Sequence, residues 1–192
     1  MIKKILKFPS YIFNRVIFKL YKIDWAANLK IEGKLLLKGE KKAIEIGENV
    51  IINSNLYANP IGYSQRTSFW VFHGGHIIIG NNVGISNASL VSKSLIKIGD
   101  DVLIGGGCKI YDTDFHQLKY ENRKLEDINY ANTKKIVIEE GVFLGAGSIV
   151  LKGVRIGKGS IIGAGSVVTK NIPPFEIWAG NPACFIRSVL NE

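Results

Sequence analysis

Histidine is scarce in this chain, three in 192 residues, so each one is a candidate for proton transfer or metal binding. His116 lies in the run YDTDFHQL. Its ordinary pKa of about 6.5 leaves a neutral imidazole available to take a proton from a hydroxyl, which is otherwise a poor nucleophile near neutral pH. Asp112 and Asp114 precede it closely. Either carboxylate can hold the ring in the correct tautomer and stabilise the imidazolium. Both also suit ordinary turn chemistry, in which aspartate hydrogen-bonds nearby backbone. His73 and His76, in FHGGH, suggest a metal pair, but the HxxxxH spacing of a coil-borne zinc site is absent, so no metal is expected. Cys108 and Cys184 form no CxxC pair. That excludes a disulfide framework and a cysteine-rich zinc site, and fits a reducing cytoplasm. No P-loop and no nucleophilic triad is present.

What positions these residues is an internal repeat. From Ile138 an aliphatic residue falls every six positions, at Leu144, Val150, Ile156, Ile162 and Val168. Four residues after each comes a second small or aliphatic residue: Val142, Ser148, Val154, Ser160, Ser166 and Ile172. Upstream, Ile98, Ile104 and Ile110 form one series and Ile79, Ile85 and Val91 another, with one extra residue between Val91 and Ile98. Ile46 and Ile52 give a weaker start. A period of six fits neither an amphipathic α-helix nor a hairpin array; it predicts short strands joined by tight turns, with stacked coils covering one another's apolar layers. The 21 glycines recur directly after the aliphatic residues, at positions such as 99, 105, 145, 157 and 163, where unusual backbone angles are expected. Residues 53–78 and 111–135 break the period. So long an irregular loop in a compact domain has a use, and the second one carries His116.

The hexads IGKGSI and IGAGSV, the run VTKNIPP and the tail AGNPACFIR resemble the hexapeptide-repeat acyltransferases, closest to the sugar O-acetyltransferases of the galactoside, capsule and O-antigen type. The likeness covers roughly residues 44–190 by the repeat criterion. It implies an all-β fold, a single-stranded left-handed parallel β-helix with an N-terminal helical segment and a protruding loop, although the usual crossover is right-handed. It also implies a homotrimer and acetyl-CoA as co-substrate. His116 matches the family's catalytic base. Asn87, in GISNASLV, matches an acceptor-site asparagine that can donate to the sugar or to a developing oxyanion; equally, asparagine tolerates a left-handed corner. Ala146, Ala164, Thr169, Lys170 and Arg187 match cofactor-binding positions, the two cations suiting coenzyme A phosphates. The expected acceptor is a saccharide hydroxyl, in surface polysaccharide biosynthesis. An amino sugar, serine or a drug as acceptor, or an inactive scaffold, are the alternatives.

Three segments follow: a basic N-terminal segment over 1–30, the β-helix over 31–178 and a tail over 179–192. The net charge is +9, and residues 1–30 hold seven lysines and arginines against Asp24 alone, so +6 sits there. A charge so localised argues against nucleic acid and for a local partner. Positions 5, 8, 12, 16 and 20 can line one helical face, with Pro9 expected to interrupt it. Such a helix either caps the open end of the coil or lies on an anionic membrane surface. No signal peptide or transmembrane run is read, so the expected location is cytoplasmic, with peripheral membrane contact through residues 1–25 as the open question.

Overall fold

The structure, a computed structural model, describes residues 2–61, 65–124 and 131–191, with side chains from residue 10. Six coils of a left-handed parallel β-helix form three sheets. Sheet A holds Asp24–Trp25, Ile44–Ile46, His76–Ile79, Leu95–Ile98, Ile136–Ile138 and Arg155–Ile156. Sheet B begins at Lys30–Gly33 and runs through Phe143–Leu144 and Ile161–Ile162 to a terminal pair, Glu176–Gly180 and Ala183–Ser188. Sheet C runs from Leu36–Gly39 through Ser68–Val71, Ser89–Ser92 and Lys109–Tyr111 to Val167–Val168.

The hexad residues are the core. In sheet A, Ile46, Ile79, Ile98, Ile138 and Ile156 are consecutive ladder partners. In sheet B, Ile52, Ile85, Ile104, Leu144 and Ile162 stack in the same way, and Trp178 closes the column. Every one of these side chains is buried, and each fully buried aliphatic contributes about 1.5–3 kcal/mol. Ser148, Ser160 and Ser166 are buried among them because each hydroxyl donates to a corner carbonyl, as Ser148 Oγ does to Gly145 O at 2.7 Å.

Five expectations change. The inward residue of the third coil is Leu90, the ladder partner of Ile110, while Val91 faces outward beside Tyr111. The corner after Ile85 is one residue shorter than the one after Ile104, and the next corner is correspondingly longer. Residues 53–78 are not one loop, because Ser68–Val71 completes the second coil with Phe69 in the aliphatic slot; the true excursion is 55–67. The first coil starts at Asp24 and not at 31.

The fourth change concerns glycine. Those following the aliphatic residue do not have positive φ. They are needed for space: a Cβ on Gly145 would lie 2.5 Å from Ala164 N in the next coil. Left-handed angles fall two residues later, at Gly147 (φ +73°) and its counterparts, a position filled upstream by Asn49, Asn82 and Asp101.

Below the first coil lies helix α1, Ile2–Tyr21, which runs through Pro9 without a break. Its docked side presents Phe18, edge-on to Trp25 at 5.3 Å, and the buried Asn14. The Asn14 amide donates to Gly33 O (2.8 Å) and accepts from Leu35 N (3.0 Å), satisfying the outermost backbone of the coil.

Candidate functional site

The His116 loop leaves sheet C after Tyr111 and returns at Ile136. Its base is a short antiparallel stem: Lys134 N donates to Asp112 O, Thr113 bridges Thr133, and Asp114 N donates to Asn132 O. Asp112 is fully buried, and its carboxylate accepts from Ser92 Oγ (2.8 Å), Lys93 N (2.7 Å) and Ser94 N (2.9 Å). Those bonds bind the stem to the long corner of the coil below, so Asp112 anchors the loop across coils and does not make a local turn. Above the stem, Phe115 takes φ +62° and His116 N donates back to Asp114 O at 2.7 Å. A bulky residue with positive φ is strained, and such strain collects at working sites. His116 follows directly and is exposed.

Asp114 stands between the loop and the coil above. Its Oδ1 pairs with Lys152 Nζ at 3.3 Å, while its Oδ2 is buried with no partner among the described residues. The Tyr111 hydroxyl is held above its ordinary pKa by burial, with the Asp114 charge adding to it. Sequence reasoning missed Lys152 and Tyr111. The hexad register alone would have placed Lys152 on the corner next to the loop.

Asn87 occupies the short corner between sheets B and C, buried, with φ +48°. Its Nδ2 donates to Gln65 O (2.6 Å) and Asn55 O (3.4 Å), and Gln65 Nε2 donates to Asn87 O (2.6 Å). Both amide hydrogens are therefore engaged in holding the 55–67 loop. The expected donation to an oxyanion is not available in this arrangement. What is free is Oδ1, a buried acceptor with no partner among the described residues.

Ala146 and Ala164 stack on that same corner column, two coils above Asn87 and beyond, and neither backbone N–H donates to a described residue. They provide two parallel donors with only a methyl group beside each. Thr169 and Lys170 are exposed on the other corner, after Val168, with Lys170 Nζ 5.0 Å from the Trp178 ring centre. Arg187 lies exposed on the returning last strand. The candidate residues therefore divide between two corners. His116, Asp114, Lys152, Thr169 and Lys170 border one edge of sheet C, and Asn87, Ala146 and Ala164 the other, on the order of 10 Å apart across the strands.

The remaining candidates lie elsewhere. His73 Nδ1 meets Glu40 Oε1 at 2.9 Å on the surface, and His76 is exposed on sheet A. Among the described residues no group of three metal-ligating side chains converges. Cys108 is a core residue whose thiol is pushed up to about 11 by burial; Cys184 is exposed.

Coil, glycine spacing and corner register are those of a hexapeptide-repeat β-helix. The bacterial transferase hexapeptide model (six repeats) matches residues 135–170. A galactoside O-acetyltransferase of Lactococcus lactis is 40% identical over 154 residues, 80% of this chain and 66% of that protein. The galactoside O-acetyltransferase of Escherichia coli is 36% identical over 118 residues, 61% of this chain and 56% of that one. A hexapeptide-repeat acetyltransferase of Vibrio cholerae, solved with acetyl coenzyme A, superposes with TM-score 0.60 at 26% identity, covering 91% of this chain and 75% of that one. The chain belongs to the hexapeptide-repeat acyltransferases, related to the sugar O-acetyltransferases. It spans between about half and two thirds of the length of these two curated relatives.

Proposed function

We propose that the protein transfers acetyl from acetyl-CoA to a hydroxyl of a saccharide, with His116 as general base. The observation that carries this is the anchored stem, with its positive φ at Phe115, that presents an exposed His116 two residues after Asp114, whose buried Oδ2 has no partner among the described residues. The relatives named for galactoside O-acetylation support the acceptor class. His116 takes the hydroxyl proton as the oxygen attacks the thioester carbonyl. The C–S bond breaks, and the imidazolium returns the proton to the departing thiolate. Asp114 stabilises that imidazolium, and Lys152 holds Asp114 in place. Asp112 fixes the loop and does not touch the reaction.

The coenzyme would lie along the Ala146–Ala164 corner, its pantetheine carbonyls accepting from those N–H groups. Thr169, Lys170 and Arg187 would meet its phosphates. Because these groups stand on two corners, a neighbouring copy completes the site in the homotrimer we assign. The outward column of sheet B, with Ile51, Leu103 and Phe143 exposed, supports that assembly as its packing face. We place the reaction in the cytoplasm, in surface polysaccharide biosynthesis.

Thiol release from acetyl-CoA tests the reading, using wild type and His116→Ala against a panel of saccharides. The expected result is acceptor-dependent release that falls roughly 10²–10⁴-fold in the variant. Release undiminished in the variant would remove His116 as base, and the absence of release with every acceptor, serine and amino sugars included, together with no binding of acetyl-CoA, would leave only a scaffold.

A further inference from the structure

Helix α1 has two faces, and docking uses one of them. Asn14 and Phe18 point into the first coil and are buried. Ile12, Val16 and Leu20, spaced four apart, form the opposite stripe and are 46%, 51% and 61% exposed. A helix that served only as an end cap would be polar on this side, because nothing compensates the exposed apolar surface. Beside the stripe run Arg15 and Lys19, also four apart and exposed, with Lys22 at the helix end. The sequence preceding them adds Lys3, Lys4 and Lys7, and Asp24 is the one acid in residues 1–30. No helix among the described residues is long and apolar enough to cross a membrane.

We infer that this face lies on an anionic lipid surface, with Ile12, Val16 and Leu20 in the acyl–headgroup boundary and Arg15, Lys19 and Lys22 among the phosphates. An amphipathic helix with a basic flank binds in this way, parallel to the membrane plane. The charge selects this occupant over a second copy of the chain, since two such faces brought together would oppose like charges. The inference stands apart from acyl transfer: the stripe is on the far side of α1 from the coil, and none of its residues belongs to the candidate site.

The test is flotation of the full-length chain with vesicles of phosphatidylcholine containing about one third phosphatidylglycerol, against phosphatidylcholine alone. Wild type is expected with the anionic vesicles, and Ile12→Ser/Val16→Ser/Leu20→Ser in the protein-only fraction. Arg15→Ala/Lys19→Ala keeps the apolar stripe and is expected to bind roughly thirtyfold more weakly, about fivefold for each cation. Far-UV circular dichroism and a melting curve matching wild type establish that the serine variant is folded, as its outward positions predict. Equal flotation of wild type and the serine variant overturns the inference, as does equal binding to neutral vesicles. It is also overturned if wild type ignores vesicles while the serine variant sediments as a smaller species, because the stripe would then be a contact between copies.

Discussion

Replacing Asp112 isolates the anchoring of the catalytic loop from the chemistry at its tip. The buried carboxylate accepts three hydrogen bonds, from Ser92 Oγ, Lys93 N and Ser94 N. Asp112→Ala removes all three acceptors and leaves two backbone N–H groups of the long corner unpaired. Each bond to a carboxylate is worth about 1.5–3 kcal/mol, and three on one group are not additive, so the loss is about 4 kcal/mol. At this chain length about 2–4 °C accompanies each kcal/mol, which puts the fall in melting temperature at about 8–16 °C. Asp112→Asn separates the contributions. Its oxygen can stay at the Oδ2 position and serve Ser92 and Ser94, but its NH₂ then faces Lys93 N–H, donor against donor. The expected loss is about 1–3 kcal/mol, clearly less than for alanine. Differential scanning calorimetry of the three proteins is the assay, with acetyl transfer measured well below each melting temperature. Alanine melting within about 3 °C of wild type would refute the argument, and so would alanine and asparagine melting together.

Other outcomes follow from the packing. Gly145→Ala places a methyl 2.5 Å from Ala164 N and should prevent folded protein from accumulating, whereas Gly165→Ala, with open space but φ +71°, should cost about 1 kcal/mol in urea titration. A thiol-reactive probe should label Cys184 in the native protein and both cysteines only in denaturant. Since burial raises the Cys108 thiol from 9.0 to about 11, its contribution to stability is complete below about pH 9. It is then lost as pH rises toward 11, and Cys108→Ser should flatten that alkaline slope in melting curves. Asn14→Ala removes both Asn14 bonds to the rim of the first coil and should speed hydrogen exchange of the helix amides far more than those of the coils.

The coil was legible because its inward residues obey one spacing, and where that spacing held, from Ile138 to Val168, the ladder agrees with it residue by residue. It failed at Val91 and Phe69. In the first case a short corner at Asn87 cancelled part of a long one, which counting along the chain cannot see. In the second an aromatic filled an aliphatic slot beyond a 13-residue loop. The role of glycine was misassigned for a related reason: its Cβ would meet backbone about 18 residues away, a contact no local angle reveals. His116 was visible from its loop. Lys152, the strain at Phe115 and the engagement of the Asn87 amide depend on neighbours in adjacent coils, and only the stack brings these together.

The two ends of the stack do not match. At one end α1 lies across the first coil with its own backbone bonds satisfied internally, and Asn14 occupies the rim. At the other, Ala183–Ser188 runs antiparallel to every other strand of sheet B. An open parallel ladder is a template on which another molecule can grow, and end-to-end growth of such ladders produces fibres. In sheet B that last strand therefore does not continue as a parallel rung into the first strand of a second molecule. The sequence could lengthen by inserting rungs in its middle and leave both ends as they are.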